Sequence, residues 1–245
     1  MNESASIGIP ALDKALMGGV PQGFTILVYG SPGEGMELFA KQFASGATKD
    51  ESVAYISTTE RNEDVIGTMK EYGWDNKMNI INIGTEYYEK VLARKLAVSK
   101  YRQEGVSLKD IRNIQAEELS HETVNLLTKL TYEMSKLDPP FRIIIDSLDF
   151  FLTFYEHSDV LSALRTIKAH TQHNNGVALI TMLEGVYQTR TQSGIEEIVD
   201  VIIELNRERD GSEFKRNMVL RKVRNNPGKT RVMSYKLTNK GFAPD

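Results

Sequence analysis

The sequence contains no cysteine and little of what marks a membrane or secreted protein. With 0 cysteines in 245 residues, disulfide bonds and thiolate metal sites are excluded, and a reducing compartment is favoured. No apolar run reaches the roughly 18 residues that a membrane span needs, and Met1-Asn2-Glu3 does not begin a signal peptide. We therefore expect a soluble, cytoplasmic protein without membrane insertion.

The charge is almost balanced overall but unevenly distributed. The formal net charge is −3, yet residues 205–240 contain eleven Lys and Arg against three Asp and Glu. Such an excess of cations is typical of segments that contact phosphates, including those of nucleic acids. The same stretch has few aromatic residues placed to stack on bases, which weakens the nucleic-acid interpretation.

Strand-like and helix-like patterns alternate along the chain. The predicted strands are 24–29, 52–57, 79–83, 142–147, 177–181 and 201–205. Segments with helical spacing lie between most of them. This order predicts an α/β domain with a mostly parallel central sheet flanked by helices. Segments 214–223 and 231–237 predict a C-terminal antiparallel β-extension around a turn at Asn226-Pro227-Gly228.

One segment interrupts this rhythm. Residues 86–115 are rich in charge, contain Gly105 and have no strand pattern. We interpret the chain as a single domain over 1–245 with a helical insertion at about 86–115, either a lid or a partner surface. Apolar positions spaced by three or four from Leu119 to Leu137 then predict a helix that Asp138-Pro139-Pro140 ends.

A glycine-rich loop follows the first long strand. Gly30 and Gly35 are separated by four residues, as in a phosphate-binding P-loop. Glycines let backbone N–H groups turn towards an anion, and the helix that follows adds its positive dipole end. The predicted nucleotide-binding residues of this loop are Gly30, Ser31, Pro32, Gly33, Glu34, Gly35, Met36 and Glu37.

The last two positions of the loop depart from the motif. A P-loop continues with a lysine for the β- and γ-phosphates and a hydroxyl for Mg²⁺, whereas this chain has Met36 and Glu37. Unit charges about 4 Å apart interact by roughly 4 kcal/mol at an effective dielectric of ~20, and half of that per substitution weakens triphosphate binding about a thousandfold. We expect no tightly bound cofactor, and only weak ATP or ADP and Mg²⁺ binding.

A structural explanation of the same two residues stays open. Met36, Phe39 and Phe43 fall on one helical face, so Met36 can extend a stripe of core residues. Glu37 lies one turn before Lys41 and can form an ion pair with it.

Five segments together resemble the KaiC-like branch of the RecA superfamily, and they are also similar to archaeal RadA-like paralogs of single-domain length. They are 6–13, 18–23, 30–35, 143–148 and 221–224. The resemblance covers nearly the whole chain except about 86–115. It implies a RecA-like P-loop domain.

The resemblance also implies roles for particular residues. Asp146, at the end of a strand, matches the carboxylate that holds Mg²⁺ through water. Glu60 matches one of two acids that polarise the attacking water, and Thr59 stands in place of the other. Lys222 and Arg224 match the cations that reach in trans into a neighbouring subunit's nucleotide site.

The departures from the family pattern fall on nucleotide-facing positions: Met36, Glu37, Thr59 and Met182. This favours a non-catalytic regulatory or assembly subunit, a pseudo-ATPase that forms homo- or hetero-oligomers with RecA- or KaiC-like subunits. The first alternative is a weak or unconventional ATPase, and the second is a RadA-like paralog that binds DNA. In none of these do we expect an efficient ATPase.

Overall fold

The computed structural model describes residues 4–75, 77–103, 125–211 and 213–244. Its strands are β1 (Ser4–Ala5), β2 (Val20–Pro21), β3 (Thr25–Gly30), β4 (Ser52–Ser57), β5 (Asn79–Asn82), β6 (Phe141–Asp146), β7 (Gly176–Leu183), β8 (Val201–Asp210), β9 (Glu213–Val223), β10 (Arg231–Thr238) and β11 (Gly241–Pro244). Its helices are α1 (Pro10–Ala15), α2 (Met36–Ser45), α3 (Asn62–Glu71), α4 (Ile83–Tyr87), α5 (Ala93–Gln103), α6 (Leu126–Ser135), α7 (Asp149–Phe154), α8 (His157–His173) and α9 (Thr189–Ile198), with a π-helical turn at Tyr88–Leu92 and a 3-10 turn at Pro227–Lys229.

Nine strands form one sheet in the order β11-β10-β9-β8-β3-β7-β6-β4-β5. The six strands from β8 to β5 run parallel, and β9, β10 and β11 add to the β8 edge in antiparallel fashion. The predicted α/β class, with its mostly parallel sheet and antiparallel C-terminal extension, is confirmed. Because the parallel strands share a direction, their carboxyl ends meet at one edge, where such sheets bind ligands.

The central strand β3 is buried on both faces, which explains its unbroken apolar sequence. Ile26 and Val28 belong to a core with α1, α2 and α3. Leu27 and Tyr29 belong to a second core with α6, α7, α8 and α9. Successive side chains of a strand point to opposite faces, so this one strand ties the two helical layers to the sheet.

The N-terminal segment that carries part of the family resemblance is fixed by hydrogen bonds. Asp13 accepts from Ser6 Oγ at 2.6 Å and from the Ile7 backbone N–H at 2.7 Å. Gln42 Nε2 on α2 donates to the Gly8 carbonyl at 2.8 Å. These bonds stay within the α2 side of the domain, so the segment has a structural role.

Strand ends differ from the prediction where pairing extends past the apolar run. β8 continues to Asp210 because β9 pairs with it along its whole length, although residues 206–210 are polar. β11 was not predicted, since its four residues include a glycine and a proline and it is held by β10.

The predicted insertion lies only partly within the described residues. Residues 83–103 form α4, the π-helical turn and α5, whereas 104–115 lie outside the described residues, so the domain interpretation stays a prediction. The helix predicted from Leu119 is observed from Leu126, where the Asn125 side chain caps it; residues 119–124 also lie outside the description. In the described parts of the chain, no helix combines the length and apolar character that a membrane crossing requires.

Candidate functional site

The loop between β3 and α2 has the backbone of a P-loop. Gly33 and Gly35 have φ angles of 86° and 93°, a left-handed conformation that glycine adopts without steric cost. A Cβ atom at Gly30 would lie 2.6 Å from the Leu205 carbonyl oxygen. The N–H groups of Met36 and Glu37 begin α2 and therefore have no acceptor within the helix. The backbone of the loop therefore has the conformation that the predicted anion site requires.

The side chains at the start of α2 do not complete it. Met36 is 8% exposed and belongs to the same buried cluster as Phe39 and Phe43. The expected extension of the core stripe is therefore confirmed. Glu37 is exposed. Neither residue offers a phosphate the cation or hydroxyl that the motif supplies.

The expected ion pair between Glu37 and Lys41 is wrong. Lys41 is 1% exposed, and its ammonium pairs with the Glu60 carboxylate. It reaches Glu37 only at the backbone carbonyl, at 3.3 Å. The ammonium also lies 5.9 Å from the centre of the Tyr55 ring. Lys41 therefore faces β4, and the candidate base Glu60 already has a cationic partner in its own chain. Its catalytic role stays a prediction.

Asp146 ends β6 as expected, and both of its carboxylate oxygens accept hydrogen bonds. Tyr55 Oη donates to Oδ2 at 2.5 Å, and Thr181 Oγ1 donates to Oδ1 at 2.8 Å. Burial and the adjacent Asp146 charge raise the pKa of Tyr55, which keeps the phenol a donor. Within the described ranges no three His, Cys, Asp or Glu side chains gather as a metal site. The metal role of Asp146 stays a prediction.

Three further acids surround the loop, and sequence reasoning did not bring them together. They are Glu34 in the loop, Glu184 after β7 and Glu204 on β8. The Glu184 N–H donates to the Gly30 carbonyl at 3.1 Å, which holds this segment beside the loop. Burial and the charges of Glu204 and Glu34 raise the pKa of Glu184. Three carboxylates therefore lie near the place where a nucleotide's phosphates would bind.

Two arginines also reach the loop from the C-terminal strands. Arg207 on β8 pairs in register with Arg216 on β9. Arg207 Nε lies 3.7 Å from Glu34 Oε1, and its guanidinium packs 4.7 Å from the Phe214 ring centre. Sequence reasoning noted the basic stretch but missed these residues, because β8 was predicted to end at Leu205. In the sequence, the alternation of positive and negative residues after Leu205 was the sign that the strand continues.

Lys222 and Arg224 lie near the start of β8, whereas this loop lies at the other end of the parallel strands. Lys222 donates to the carbonyls of Glu196 and Val199 at 2.6 and 2.7 Å, at the C-terminal end of α9. Arg224 Nε pairs at 3.0 Å with Asp200 Oδ1. Burial, together with the Arg224 and Lys168 charges, lowers the pKa of Lys222.

The strand register sets this separation. Lys222 pairs with Ile202, which lies beside Leu27, whereas the loop begins after Gly30. Three strand residues span about 10 Å. Lys222 and Arg224 therefore do not meet the loop of their own chain, and a role towards another subunit stays a prediction.

A bound Mg²⁺-nucleotide does not fit the residues present. Met36 is turned into the core, Glu37 adds negative charge beside it, and Glu34 places a buried carboxylate inside the loop. Glu184 and Glu204 add further carboxylates near the loop, and like charges at close range oppose phosphate binding. Arg207 offsets part of this charge through its pair with Glu34.

The sheet order, the glycine loop after β3 and the carboxylate at the end of β6 define a RecA-like P-loop domain. A family sequence model described as "ATPase: KaiC" matches residues 5–243, and the chain belongs to this family.

Individual relatives agree with this assignment. A UPF0273 protein of Pyrococcus horikoshii is 25% identical over 99% of this chain and 94% of its own length. The circadian clock protein KaiC2 of Synechocystis sp. is 26% identical over 81% of this chain and 32% of that protein. The crystal structure of a KaiC-like protein from P. horikoshii matches with a TM-score of 0.66 at 19% identity, over 100% of both chains.

Proposed function

We propose that this chain is a non-catalytic subunit of the KaiC family, which acts by assembly with RecA- or KaiC-like subunits and does not hydrolyse ATP efficiently. The observation that carries the proposal is the position of Met36. The residue that should present an ammonium to the β- and γ-phosphates is instead packed in the core, 8% exposed. The nearest lysine along α2, Lys41, does not take its place, because it pairs with Glu60.

Calorimetric titration with Mg·ATP tests the silent site. We expect wild-type protein to show no binding tighter than about 1 mM. The variant Met36→Lys/Glu37→Thr should bind more tightly, because the glycine backbone is already in the P-loop conformation. Met36→Leu/Glu37→Gln is the matched control, which alters the same positions without restoring either group. A micromolar dissociation constant for the wild type would overturn the proposal.

Assembly is supported by the placement of Lys222 and Arg224. The two cations lie at the edge of the sheet away from the chain's own loop, and Arg224 is 39% exposed. Cations supplied in trans raise phosphoryl-transfer rates by about 10³- to 10⁵-fold in other systems. A subunit with a silent loop can therefore still complete the site of an active neighbour.

Mixing experiments with active KaiC-like relatives from the same cell test this role. We expect the wild type to stimulate ATP turnover by the relative, and Arg224→Ala to abolish the stimulation. Lys222→Ala should do the same, but its effect on α9 requires a check of folding. Arg231→Ala, an exposed cation on β10, is the control. Failure to associate with any relative, or stimulation that survives Lys222→Ala/Arg224→Ala, would refute the shared site.

DNA binding receives less support from the structure than from the sequence. Two cations of the basic stretch already have acidic partners in the chain: Arg207 pairs with Glu34, and Arg221 pairs with Glu196 and Glu204. Such cations are less available to phosphates than the count in the sequence indicates.

A further inference from the structure

Glu34 is a buried acid in a loop whose backbone favours anions. Glu34 is 4% exposed. Oε1 lies 3.7 Å from Arg207 Nε, beyond the usual hydrogen-bond length of roughly 2.7–3.2 Å. In the part of the chain that the structure describes, Oε2 has no hydrogen-bond partner. A carboxylate is costly to bury in this way unless nearby charge compensates it.

The compensating charge comes from Arg207 and Arg216. The two side chains are directly opposed on β8 and β9, a placement that is unfavourable for like charges alone. Arg216 Nε is buried and, among the described residues, has no acceptor. Two guanidinium groups side by side are stabilised by an anion that both can reach. Among the described residues, a buried donor of Arg216 and a buried acceptor of Glu34 are thus both without a hydrogen-bond partner.

The loop and the two arginines are held in contact by the next strand. Arg216 pairs in register with Tyr235 on β10, and Tyr235 Oη donates to the Glu34 carbonyl at 3.2 Å. On the other side, the Arg207 guanidinium nitrogens lie 3.8 Å from where a Cβ would stand on Gly33. Arg207 therefore borders the backbone of the loop, and Arg216, opposite it on β9, lies within electrostatic range of Glu34.

We propose that Arg207 and Arg216 form, with the loop backbone, a binding site for a phosphate or diphosphate group, and that Glu34 is a resident anion that occupies it. This inference rests on the proposed function and deepens it. It names the group that closes the loop to anions and the cations that would hold an anion in its absence. The missing lysine and hydroxyl are then only part of the reason for a silent site.

The charges around Glu34 come from several elements. Arg207 on β8 and Arg216 on β9 attract it, and Glu184 after β7 lies within electrostatic range. Glu37 on α2 is the next acid in the same segment and is exposed. Of the two acids in the loop segment, Glu34 is the one that burial and the arginines single out.

Titration of inorganic pyrophosphate in magnesium-free buffer with a chelator tests the proposal. We expect Glu34→Gln to bind pyrophosphate at least about tenfold more tightly than the wild type. Glu71→Gln is the control, since it removes an exposed carboxylate at the C-terminal end of α3, outside the loop segment. Glu34→Gln/Arg207→Met should lose the gain.

Three results would overturn the proposal: no gain in a folded Glu34→Gln variant, an equal gain in Glu71→Gln, or a gain that persists without Arg207. Thermal unfolding verifies that each variant is folded. If Glu34→Gln does not fold, Glu34→Ser, whose side chain is small enough for the loop, takes its place. If neither folds, Arg207→Met in the otherwise wild-type chain decides. It leaves the resident Glu34 without its cation and should destabilise the protein more than the control Arg231→Ala does. Equal stability of these two variants would overturn the proposal.

These outcomes are distinct from those that test the proposed function. Micromolar binding of Mg·ATP by the wild type would refute the silent site whatever Glu34 does. A wild type that binds neither ligand, together with a folded Glu34→Gln that also binds neither, would refute only the resident anion.

Discussion

The phenol of Tyr55 on β4 donates a hydrogen bond to Asp146 at the end of the neighbouring strand β6. Both residues are buried, at 0% and 6% exposure. The carboxylate that resembles a metal-binding acid is therefore held from within the sheet. This hydrogen bond fixes the position of the carboxylate and stabilises the fold. Its contribution to the free energy of unfolding can be measured.

Replacing Tyr55 by Phe should destabilise the protein by about 1–3 kcal/mol, because the ring packing is kept while a buried charged acceptor loses its donor. Urea denaturation at neutral pH measures this. Tyr88→Phe, at a half-exposed position, should change the free energy of unfolding by less than about 0.5 kcal/mol. Equal effects of the two substitutions would contradict the assigned role of the bond.

The buried pair of Arg142 and Glu51 provides a second test. Arg142 Nη2 lies 3.2 Å from Glu51 Oε2, with side-chain exposures of 0% and 3%. Arg142→Met should cost about 3–5 kcal/mol, since it leaves a buried carboxylate without its cation. Adding Glu51→Gln should recover part of that loss. Strict additivity of the two single effects in a double-mutant cycle would show that the pair is not coupled.

Adjacent glycines separate backbone strain from steric clash. Gly18 and Gly19 have φ angles of 111° and 118°. A Cβ at Gly19 would lie 2.2 Å from the Ala5 carbonyl oxygen, whereas one at Gly18 would meet nothing within 4 Å. Gly18→Ala should therefore cost about 1–3 kcal/mol from strain alone, and Gly19→Ala clearly more. Thermal unfolding of both variants gives the comparison, and equal losses would exclude the clash.

The stability of a Glu34→Gln variant should differ from the wild type in a pH-dependent way. Burial raises the pKa of Glu34, and the Arg207 and Arg216 charges only partly oppose this. Between the ordinary carboxyl pKa and the raised value, the folded wild type binds more protons than the unfolded chain, so its stability falls as pH rises. The glutamine variant lacks this loss. It should be the more stable protein near neutrality, and the difference should vanish below the ordinary carboxyl pKa.

The measurement is the free energy of unfolding of both proteins from about pH 4 to about pH 7, a range that brackets ordinary carboxyl titration. Glu37→Gln serves as the reference for removing an exposed charge from the same segment. If its difference profile matched that of Glu34→Gln, burial of Glu34 would not be the cause.

The sheet could be predicted from the sequence wherever its strands are buried on both sides. Ile143, Ile144 and Ile145 form such a run, and their strand was found within one residue of its observed ends. β11 could not be predicted in this way, because only pairing with β10 makes it a strand. The polar end of β8 was missed for the same reason. Residues 206–210 have no apolar pattern, and only their pairing with β9 makes them a strand.

The parts of the site that depend on local backbone conformation and helical periodicity could be predicted from the sequence. Spacing of Gly30 and Gly35 predicted the loop, and the apolar stripe predicted burial of Met36. The partners of Lys41 and Glu34 could not be predicted, because they depend on which face of α2 meets β4 and on the register of β8 with β9. Periodicity alone does not determine contacts between separate elements.

The separation of the glycine loop from Lys222 and Arg224 gives the domain a polarity. The two surfaces are different and lie at opposite ends of the same strands. A contact that brings the loop of one subunit to the cations of another is therefore of one of two kinds: reciprocal, in a twofold dimer of antiparallel subunits, or heterologous, head to tail. A reciprocal dimer uses both loops and both pairs of cations at once. In the head-to-tail arrangement each added subunit leaves one loop and one pair of cations free, so that assembly ends only by closing into a ring or by meeting a subunit that lacks one of the two surfaces.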